Sequence, residues 1–252
     1  MSSTFLTRLR SRELLIGTWI KTPSPVVCEV LARSGLDTLA LDAEHAPFGR
    51  QELDNCLAIG AALGMPMLVR LPSADSAQIL NALDCGAAGV VIPHVRSAAD
   101  AAAIVRAAHY GPGGRGYAGS TRAAGFAGRS IGEHITKARS STAVILQIED
   151  HEALSEIDAI AATPGVDCLF VGRIDLTVSL GKTDPQDAAV VAAVERICAA
   201  GRAANVAVGM FVPQAGEAAR WRAQGASLFI LSSDQTFLIG GAKQLVAEVR
   251  KS

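Results

Sequence analysis

The sequence predicts one α/β domain, a single closed (β/α)₈ or TIM barrel over residues 1–252. Three observations support this fold class. Eight short apolar runs alternate with longer alanine-rich segments of helical periodicity. Sharing 252 residues among eight units gives about 31 residues per unit, which is usual for this barrel. No change of composition and no flexible linker separates the units, so a second domain is not expected.

The eight apolar runs are rich in valine, isoleucine and leucine, as is typical of strands covered on both faces of a parallel sheet. In chain order, the predicted strands are Leu15–Ile20, Thr38–Asp42, Met67–Leu71, Gly89–Val95, Val144–Glu149, Cys168–Val171, Val206–Val212 and Ser227–Leu231. A doubly wound open sheet is the alternative. It normally has five or six strands and a glycine-rich first turn, and no G-x-G-x-x-G follows the first run.

The segments between these runs place apolar residues at helical spacing. The predicted helices are Pro25–Ser34, Gln51–Leu63, Ser76–Cys85, Ala98–Ala108, Glu152–Ala162, Pro185–Asn205, Gly216–Gln224 and Phe237–Lys251. Ser24 before Pro25 is a capping signal, and Gly35, Gly86 and Gly225 each end a helix just before a strand. The longest interruption, Tyr110–Arg129, is predicted to be a functional loop on the catalytic face.

Composition narrows the class of function. A formal net charge of −1 provides no electrostatic surface for nucleic acid or an anionic membrane, and 4% aromatic residues argue against stacking platforms for bases. The five cysteines are scattered with no C-x-x-C pair, so we expect buried thiols in a reducing cytosol. No apolar run suits a signal peptide or a membrane span, so we expect a soluble cytoplasmic protein.

Polar residues cluster at the carboxyl ends of the predicted strands, where a TIM barrel carries its active site. Burial of such groups costs free energy unless they are paired, so several at one end of a barrel indicate a functional site. The residues at these ends are Lys21, Asp42, Glu44, His45, Arg70, His94, Gln147, Glu149, Asp175, Gln214, Ser232 and Asp234. One barrel mouth is therefore predicted to collect carboxylates, histidine and arginine.

Glu149 and Asp175 follow neighbouring strands, which lie about 4.8 Å apart, so both carboxylates can reach one point. Such a pair suits a hard divalent cation; alternatively Asp175 caps a helix and Glu149 faces solvent. His45 suits the role of general base because its ordinary pKa is near neutrality, although a lone histidine is more often structural. Asp84 is a candidate to orient its imidazole, or a surface acid.

Arg70 ends the third predicted strand, where an unpaired arginine is unusual. Its guanidinium can grip a substrate carboxylate or stabilise an oxyanion. The alternative is an internal ion pair with Asp42 or Glu44. For His94, packing and substrate contact remain equally open.

At these residues the sequence resembles the HpcH/HpaI aldolase/citrate lyase family. This is a metal-dependent group of pyruvate aldolases that includes 2-dehydro-3-deoxyglucarate aldolase, and the resemblance runs over essentially the whole chain. Its marks are G-T-W-I-K at Gly17–Lys21, L-D-A-E-H-A-P-F at Leu41–Phe48, V-R-L-P at Val69–Pro72, L-D-C-G-A-A-G-V-V-I-P at Leu83–Pro93, G-R-G-Y-A-G-S-T-R-A at Gly114–Ala123, Q-I-E at Gln147–Glu149 and V-G-R-I-D-L at Val171–Leu176.

The resemblance implies a class II aldolase that cleaves a 4-hydroxy-2-oxo acid to pyruvate, or a related 2-oxo acid, and an aldehyde. It implies that a divalent cation (Mg²⁺, Mn²⁺ or Co²⁺) is held by Glu149 and Asp175, with His45 paired to Asp84 as general base and Arg70 at the enolate. Substrate contacts are implied for Gln147, for the backbone of Gly172, Arg173 and Ile174, and for Arg122 beside the acceptor. A homo-oligomer, a trimer or a hexamer whose C-terminal helices exchange, is also implied.

Two features depart from the family pattern. Arg173-Ile174 stands where Pro-Ala is usual, which adds charge and bulk beside the substrate carboxylate, and His94 stands where methionine is common. Three rival functions are a Schiff-base aldolase that uses Lys21, a citrate-lyase-like enzyme acting on an acyl-CoA, and a non-catalytic barrel that binds an oxo-acid.

Overall fold

The computed structural model describes residues 4–251 and has eight parallel strands that close a barrel in sequence order. The strands are β1 Leu15–Ile20, β2 Thr38–Asp42, β3 Met67–Arg70, β4 Gly89–Ile92, β5 Ala143–Ile148, β6 Cys168–Val171, β7 Ala207–Val212 and β8 Leu228–Ser233. β1 pairs with both β2 and β8, and this pairing closes the barrel. The predicted fold class is confirmed, and all eight predicted strands are present with small differences at their ends.

Helices cover the outside of the barrel. They are α1 Phe5–Arg10, α2 Pro25–Leu31, α3 Arg50–Leu63, α4 Ser76–Asp84, α5 Ala98–Ala108, α6 Ile131–Ser141, α7 Ala153–Ala161, α8 Arg173–Ser179, α9 Ala188–Ala204, α10 Ala218–Ala223 and α11 Asp234–Val249, with a 3₁₀ turn at Ala215–Glu217. The sequence analysis did not predict α1, α6 or α8. A reciprocal capping box between Ser130 and Glu133 begins α6, a signal that its glycine- and arginine-rich surroundings obscured.

Two apolar cores hold the barrel together. The outer core lies between the strands and the surrounding helices. The inner core fills the barrel, and Phe5, Leu6 and Leu9 of α1 join it, so α1 covers one end of the barrel. Trp19 and Phe170 meet edge to face within the inner core, with ring centroids 5.9 Å apart. The other end of the barrel therefore remains open for a site.

The long segment Tyr110–Arg129 does not lie where the sequence analysis placed it. Because α5 follows β4 and returns along the barrel, residues 110–129 lead from α5 to α6 and then to the start of β5. The segment therefore lies towards the amino-terminal end of the strands, not on the catalytic face of its own barrel. The prediction was wrong because it counted from β4 to β5 without allowing for the direction of the helix between them.

Asp234 links the first and last units of the barrel at the carboxyl ends of the strands. Its carboxylate accepts the backbone N–H groups of Lys21 and Thr22, each at 2.9 Å, and thereby ties the end of β1 to the start of α11. This strand-end carboxylate therefore has a structural role, since both of its oxygens accept backbone N–H groups. Within residues 4–251, no helix is both long and apolar enough to cross a membrane.

Candidate active site

A cavity of about 400 Å³ opens at the carboxyl ends of the strands. Its lining comes from all strand ends except those of β4 and from the loops that follow them. The lining residues are Trp19, Lys21, His45, Arg70, Gln147, Phe170, Gly172, Arg173, Ile174, Asp175, Phe211, Ser232, Ser233 and Thr236. The barrel thus brings seven of the ten predicted site residues to a single cavity, and an eighth, Glu149, lies against Gly172 of its lining.

Arg70 is buried and makes the internal ion pairs that were one of its two predicted roles. Its Nε donates to Oδ1 of Asp42 at 3.0 Å, its Nη2 lies 2.8 Å from Oδ2, and its Nη1 lies 3.3 Å from Glu44. The guanidinium also lies over the ring of Trp19, 4.3 Å from its centroid. Burial alone would raise the pKa of Asp42, but the bonds from Arg70 outweigh it and hold that pKa below its ordinary value. Arg70 is therefore a fixed cation at the cavity wall.

Lys21 contributes a second cation. Its Nζ lies 3.3 Å from Oδ2 of the fully buried Asp42. A Schiff-base lysine usually has a desolvating or cationic setting, whereas this side chain faces a carboxylate. The geometry of Lys21 consequently gives no support to the Schiff-base alternative.

Three further carboxylates, those of Glu44, Glu149 and Asp175, lie close together at the site. Glu149 is almost completely buried, and its oxygens accept the backbone N–H of His94 at 2.9 Å and the side-chain amide of Gln147. Burial raises the pKa of Glu149 and of Glu44, and the negative charge of Asp175 raises both further. Asp175 therefore lies close enough to repel both glutamates, and negative charge gathered in this way attracts a cation.

Glu149, Glu44 and His94 offer ligand atoms that lie within 4.8 Å of one another. Sequence reasoning placed Glu44 and His94 at strand ends but assigned metal binding only to Glu149 and Asp175. The sequence analysis considered only His45 as a functional side chain after β2. Glu44, two residues beyond the end of β2, reaches the same cluster as Glu149.

The start of α8 brings backbone against this cluster. Gly172 caps the helix, and Asp175 lies in its first turn and lines the cavity. A Cβ atom at Gly172 would lie 2.6 Å from Oε2 of Glu149, so only glycine permits this approach. The N–H of Gly172 is already bonded to the carbonyl of Ile148, at 3.1 Å. The predicted backbone contact of residues 172–174 with a substrate can therefore come only from Arg173 and Ile174.

Arg173 extends away from solvent towards the loop after β7. Its Nη2 lies 2.6 Å from Oε2 of Glu217, and its Nε and Nη1 have no hydrogen-bond acceptor. Ile174 is about half exposed at the cavity. The sequence analysis predicted the added charge at Arg173 but not its partner Glu217, because nothing in the spacing links α8 to the 3₁₀ turn.

His45 and Asp84, which the sequence analysis paired, are not partners within residues 4–251. His45 is half exposed at the cavity, with its Nε2 3.7 Å from Glu44. Asp84 ends α4, at the amino-terminal side of the barrel, and is bonded to Arg115. The helix direction separates the two residues, since α4 runs back from the mouth.

Arg122 lies in the same outlying region as Asp84. Its Nη2 contacts Oδ2 of Asp54 at 3.0 Å, and both side chains line a surface pocket together with Asp84. It does not border the cavity of its own chain. Any contact of Arg122 with a substrate therefore requires a second copy of the protein.

The model of the HpcH/HpaI aldolase/citrate lyase family matches residues 15–240. A hydroxypyruvate/pyruvate aldolase of Paraburkholderia phytofirmans is 37% identical, with 98% of this chain and 99% of that protein covered. A 4-hydroxy-2-oxovalerate aldolase of Rhodococcus jostii is 38% identical, with 92% and 89% covered.

A solved structure has the same architecture. It is a HpcH/HpaI aldolase/citrate lyase family protein from Burkholderia cenocepacia, with a TM-score of 0.93, 38% identity, and coverage of 99% of this chain and 100% of that one. Sequence, fold and the polar cavity lead to the same assignment, and the predicted resemblance is confirmed. The chain therefore belongs to the HpcH/HpaI aldolase/citrate lyase family and is a carbon–carbon lyase of the aldolase type.

Proposed function

We propose that the protein is a divalent-metal-dependent aldolase that reversibly cleaves a 4-hydroxy-2-oxo acid to pyruvate, or a related 2-oxo acid, and an aldehyde. The observation that carries this proposal is the meeting of Glu44, Glu149 and Asp175 beside Arg70 and His45 at one barrel mouth. The names of the relatives from Paraburkholderia and Rhodococcus support the substrate class.

The residues present fit a divalent cation. Glu149 offers buried carboxylate oxygens in a cradle that a Cβ at Gly172 would fill, and the buried Oε1 of Gln147 has no hydrogen-bond donor. Oxygen donors with uncompensated negative charge suit Mg²⁺, Mn²⁺ or Co²⁺. We assign Glu149 and Asp175 as ligands. When bound, the ion supplies Lewis-acid stabilisation of the negative charge that develops on the oxo-acid during cleavage.

The chain's own residues supply the remaining functions. His45 is positioned at the cavity to take the proton of the substrate's 4-hydroxyl group. Arg70, fixed by Asp42 and lining the same cavity, places positive charge where the enolate oxygen forms. The first N–H groups of a helix have no intrahelical acceptor, so those of Arg173 and Ile174 can receive the substrate carboxylate. Gln147 lines the same cavity and donates its side-chain amide to Glu149.

Asp84 and Arg122 fit this reaction only in an assembly. Because both lie away from the mouth of their own barrel, we propose a homo-oligomer, a trimer or a hexamer, in which a neighbouring copy brings them to His45 and to the acceptor aldehyde. The exposed apolar side chains of α11, including Leu238 and Leu245, support such an assembly.

We also propose that the enzyme works on small molecules in the cytoplasm. Its five cysteines, Cys28, Cys56, Cys85, Cys168 and Cys198, are free and buried, which suits a reducing compartment.

The test measures metal-dependent release of pyruvate, which is detected through its reduction by lactate dehydrogenase in a coupled assay. We expect Glu149→Gln and Asp175→Asn to abolish release while the circular dichroism spectrum stays that of the parent. We expect His45→Ala to lose about 10²–10⁴ in kcat, as is usual for a general base. Glu29→Gln, on the outer helix α2, is the matched control and should leave the rate unchanged.

Three results would contradict the proposal. Full activity of both acid variants after EDTA treatment would show that the assigned residues hold no catalytic ion. Covalent trapping of pyruvate on Lys21 by borohydride would show a Schiff-base aldolase instead. Turnover of acyl-CoA thioesters without turnover of free hydroxy-oxo acids would identify a citrate-lyase-like activity.

A further inference from the structure

His94 lies at the edge of the carboxylate cluster with one imidazole nitrogen facing each of two acids. Its Nδ1 is 3.4 Å from Oε1 of Glu149, and its Nε2 is 4.0 Å from Oε1 of Glu44. Atoms bound to one ion at about 2.1 Å lie roughly 3 to 4 Å apart. Of these two nitrogens, Nε2 lies at ligand spacing from Glu44, and one ligand atom from each of Glu44, His94 and Glu149 lies within 4.8 Å of the others.

The Nδ1 that approaches Glu149 also has the partner that the second nitrogen of a metal-bound imidazole usually has. Nδ1 lies 3.1 Å from Oδ2 of Asp150, and the same oxygen lies 3.0 Å from Nε of Arg96. An Nδ1–H donated to Asp150 leaves the lone pair on Nε2, and a carboxylate in this place is the common support of histidine ligands.

The backbone fixes the same arrangement. His94 has φ +55°, a left-handed conformation that is unusual for a residue other than glycine, and its N–H donates to Oε1 of Glu149. Such conformations persist where the surrounding structure requires them. Here the bend joins the loop after β4 directly to the carboxylate assigned as a metal ligand.

We infer that Nε2 of His94 is an additional, nitrogen ligand of the ion held by Glu149. This inference rests on the proposed metal dependence and deepens it. An imidazole ligand favours Co²⁺, Ni²⁺ and Zn²⁺ over Mg²⁺, which prefers oxygen donors only. The protein is accordingly an aldolase whose site selects borderline transition metals rather than magnesium.

The test measures binding of Co²⁺ and of Mg²⁺ to the metal-free full-length protein by competition with a fluorescent chelator. His94→Met, which is similar in size, should lower the Co²⁺ affinity about 10- to 100-fold and change the Mg²⁺ affinity by no more than about twofold. Asp150→Asn should lower the Co²⁺ affinity about 10-fold through loss of the support. His151→Met is the matched control, because that ring is bonded to Ser179, and should change neither affinity.

A second readout observes the ligand itself. In the Co²⁺-loaded protein, the Nδ1–H of a ligating histidine gives a hyperfine-shifted proton resonance that disappears in D₂O. We expect this resonance in the parent and in His151→Met, and its loss in His94→Met. Thermal melting by circular dichroism confirms that each variant is folded.

The outcomes separate this inference from the function on which it rests. If Glu149→Gln removes Co²⁺ binding but His94→Met leaves both the affinity and the resonance intact, His94 is not a ligand and the metal-dependent function stands. Equal losses of Co²⁺ and Mg²⁺ affinity in His94→Met would also overturn the assignment. If the parent protein binds neither ion, the proposed metal dependence fails, and the role of His94 fails with it.

Discussion

Glu44 and Glu149 each combine burial with the nearby charge of Asp175, so the pKa of both carboxyl groups is raised above the ordinary glutamate value. A protonated carboxyl group cannot serve as a ligand, so protons compete with the ion. A raised pKa means that this competition begins at a higher pH than for a solvent-exposed glutamate, whose pKa is about 4.3.

We therefore predict that metal affinity decreases as the pH is lowered, and that the decrease starts above the ordinary glutamate pKa. The measurement is the dissociation constant of Mn²⁺ by titration calorimetry at a series of pH values from neutrality downwards. Glu44→Gln removes one carboxyl group that a proton can occupy and one negative charge from the cluster. The loss of metal affinity should therefore begin at a lower pH in this variant. A constant affinity down to the ordinary glutamate pKa would mean that these carboxylates are not mutually destabilised.

Sequence reasoning predicted the chemical type and strand-end position of the mouth residues but not their partners. For Arg70, both an internal ion pair and a substrate contact remained open, because the sequence does not tell which acid lies across the barrel. The structure selects Asp42. The resemblance paired His45 with Asp84. Within one chain the two residues are far apart, because α4 carries Asp84 to the opposite end of the barrel.

At the scale of elements, close contact between β4 and β5 depends on one glycine. Gly89 pairs with Ala143, and a Cβ at Gly89 would lie 2.6 Å from the carbonyl oxygen of Ala143 and 2.7 Å from its Cβ. Both obstructing atoms belong to Ala143 of the paired strand β5. They can move only if the pairing of the two strands is disturbed.

Gly89→Ala should therefore lower the free energy of unfolding by about 1–3 kcal/mol, the usual cost of overpacking a core. At about 2–4 °C per kcal/mol for a chain of this size, the melting temperature by calorimetry should fall by several degrees. Gly132→Ala is the control, since no atom lies within 4 Å of the added Cβ in α6. Alanine's helix propensity should leave that variant unchanged or up to about 1 kcal/mol more stable. A Gly89→Ala protein that melts with the parent would refute the packing argument.

The elements that sequence reasoning missed are those whose signals are weak or short. The strands were predicted because a run buried on both faces is continuously apolar, and all eight are in place. By contrast, α8 has only seven residues and begins directly after β6, so its first turn looked like a loop. Its position matters for the site because it carries both Gly172 and Asp175.

At the scale of the whole molecule, α11 is a long helix that packs little of its surface against its own barrel. Its first residue, Asp234, is buried, whereas Phe237, Leu238, Ile239 and Leu245 are exposed to between 43% and 65%. Monomeric proteins rarely expose contiguous apolar patches of this kind, which more often mark an interface. The single barrel is thus complete as a fold but leaves an apolar helix and, in Asp84 and Arg122, two candidate functional residues outside its own mouth.

If a neighbouring copy covers α11 and supplies Asp84 and Arg122, the double variant Leu238→Glu with Leu245→Glu should lose both assembly and activity. Each new carboxylate would be buried without a partner in the interface, a cost that association cannot offset. Light scattering after size exclusion should then give the mass of a single chain instead of a trimer or hexamer, and pyruvate release should fall in parallel. The unfolding midpoint of the isolated barrel should persist, because these side chains contribute nothing to its cores. Val30→Glu makes the same change at another exposed helical position and should leave the mass unaltered. A fully active single chain would show that Asp84 and Arg122 have no part in the reaction, and that each barrel mouth works alone.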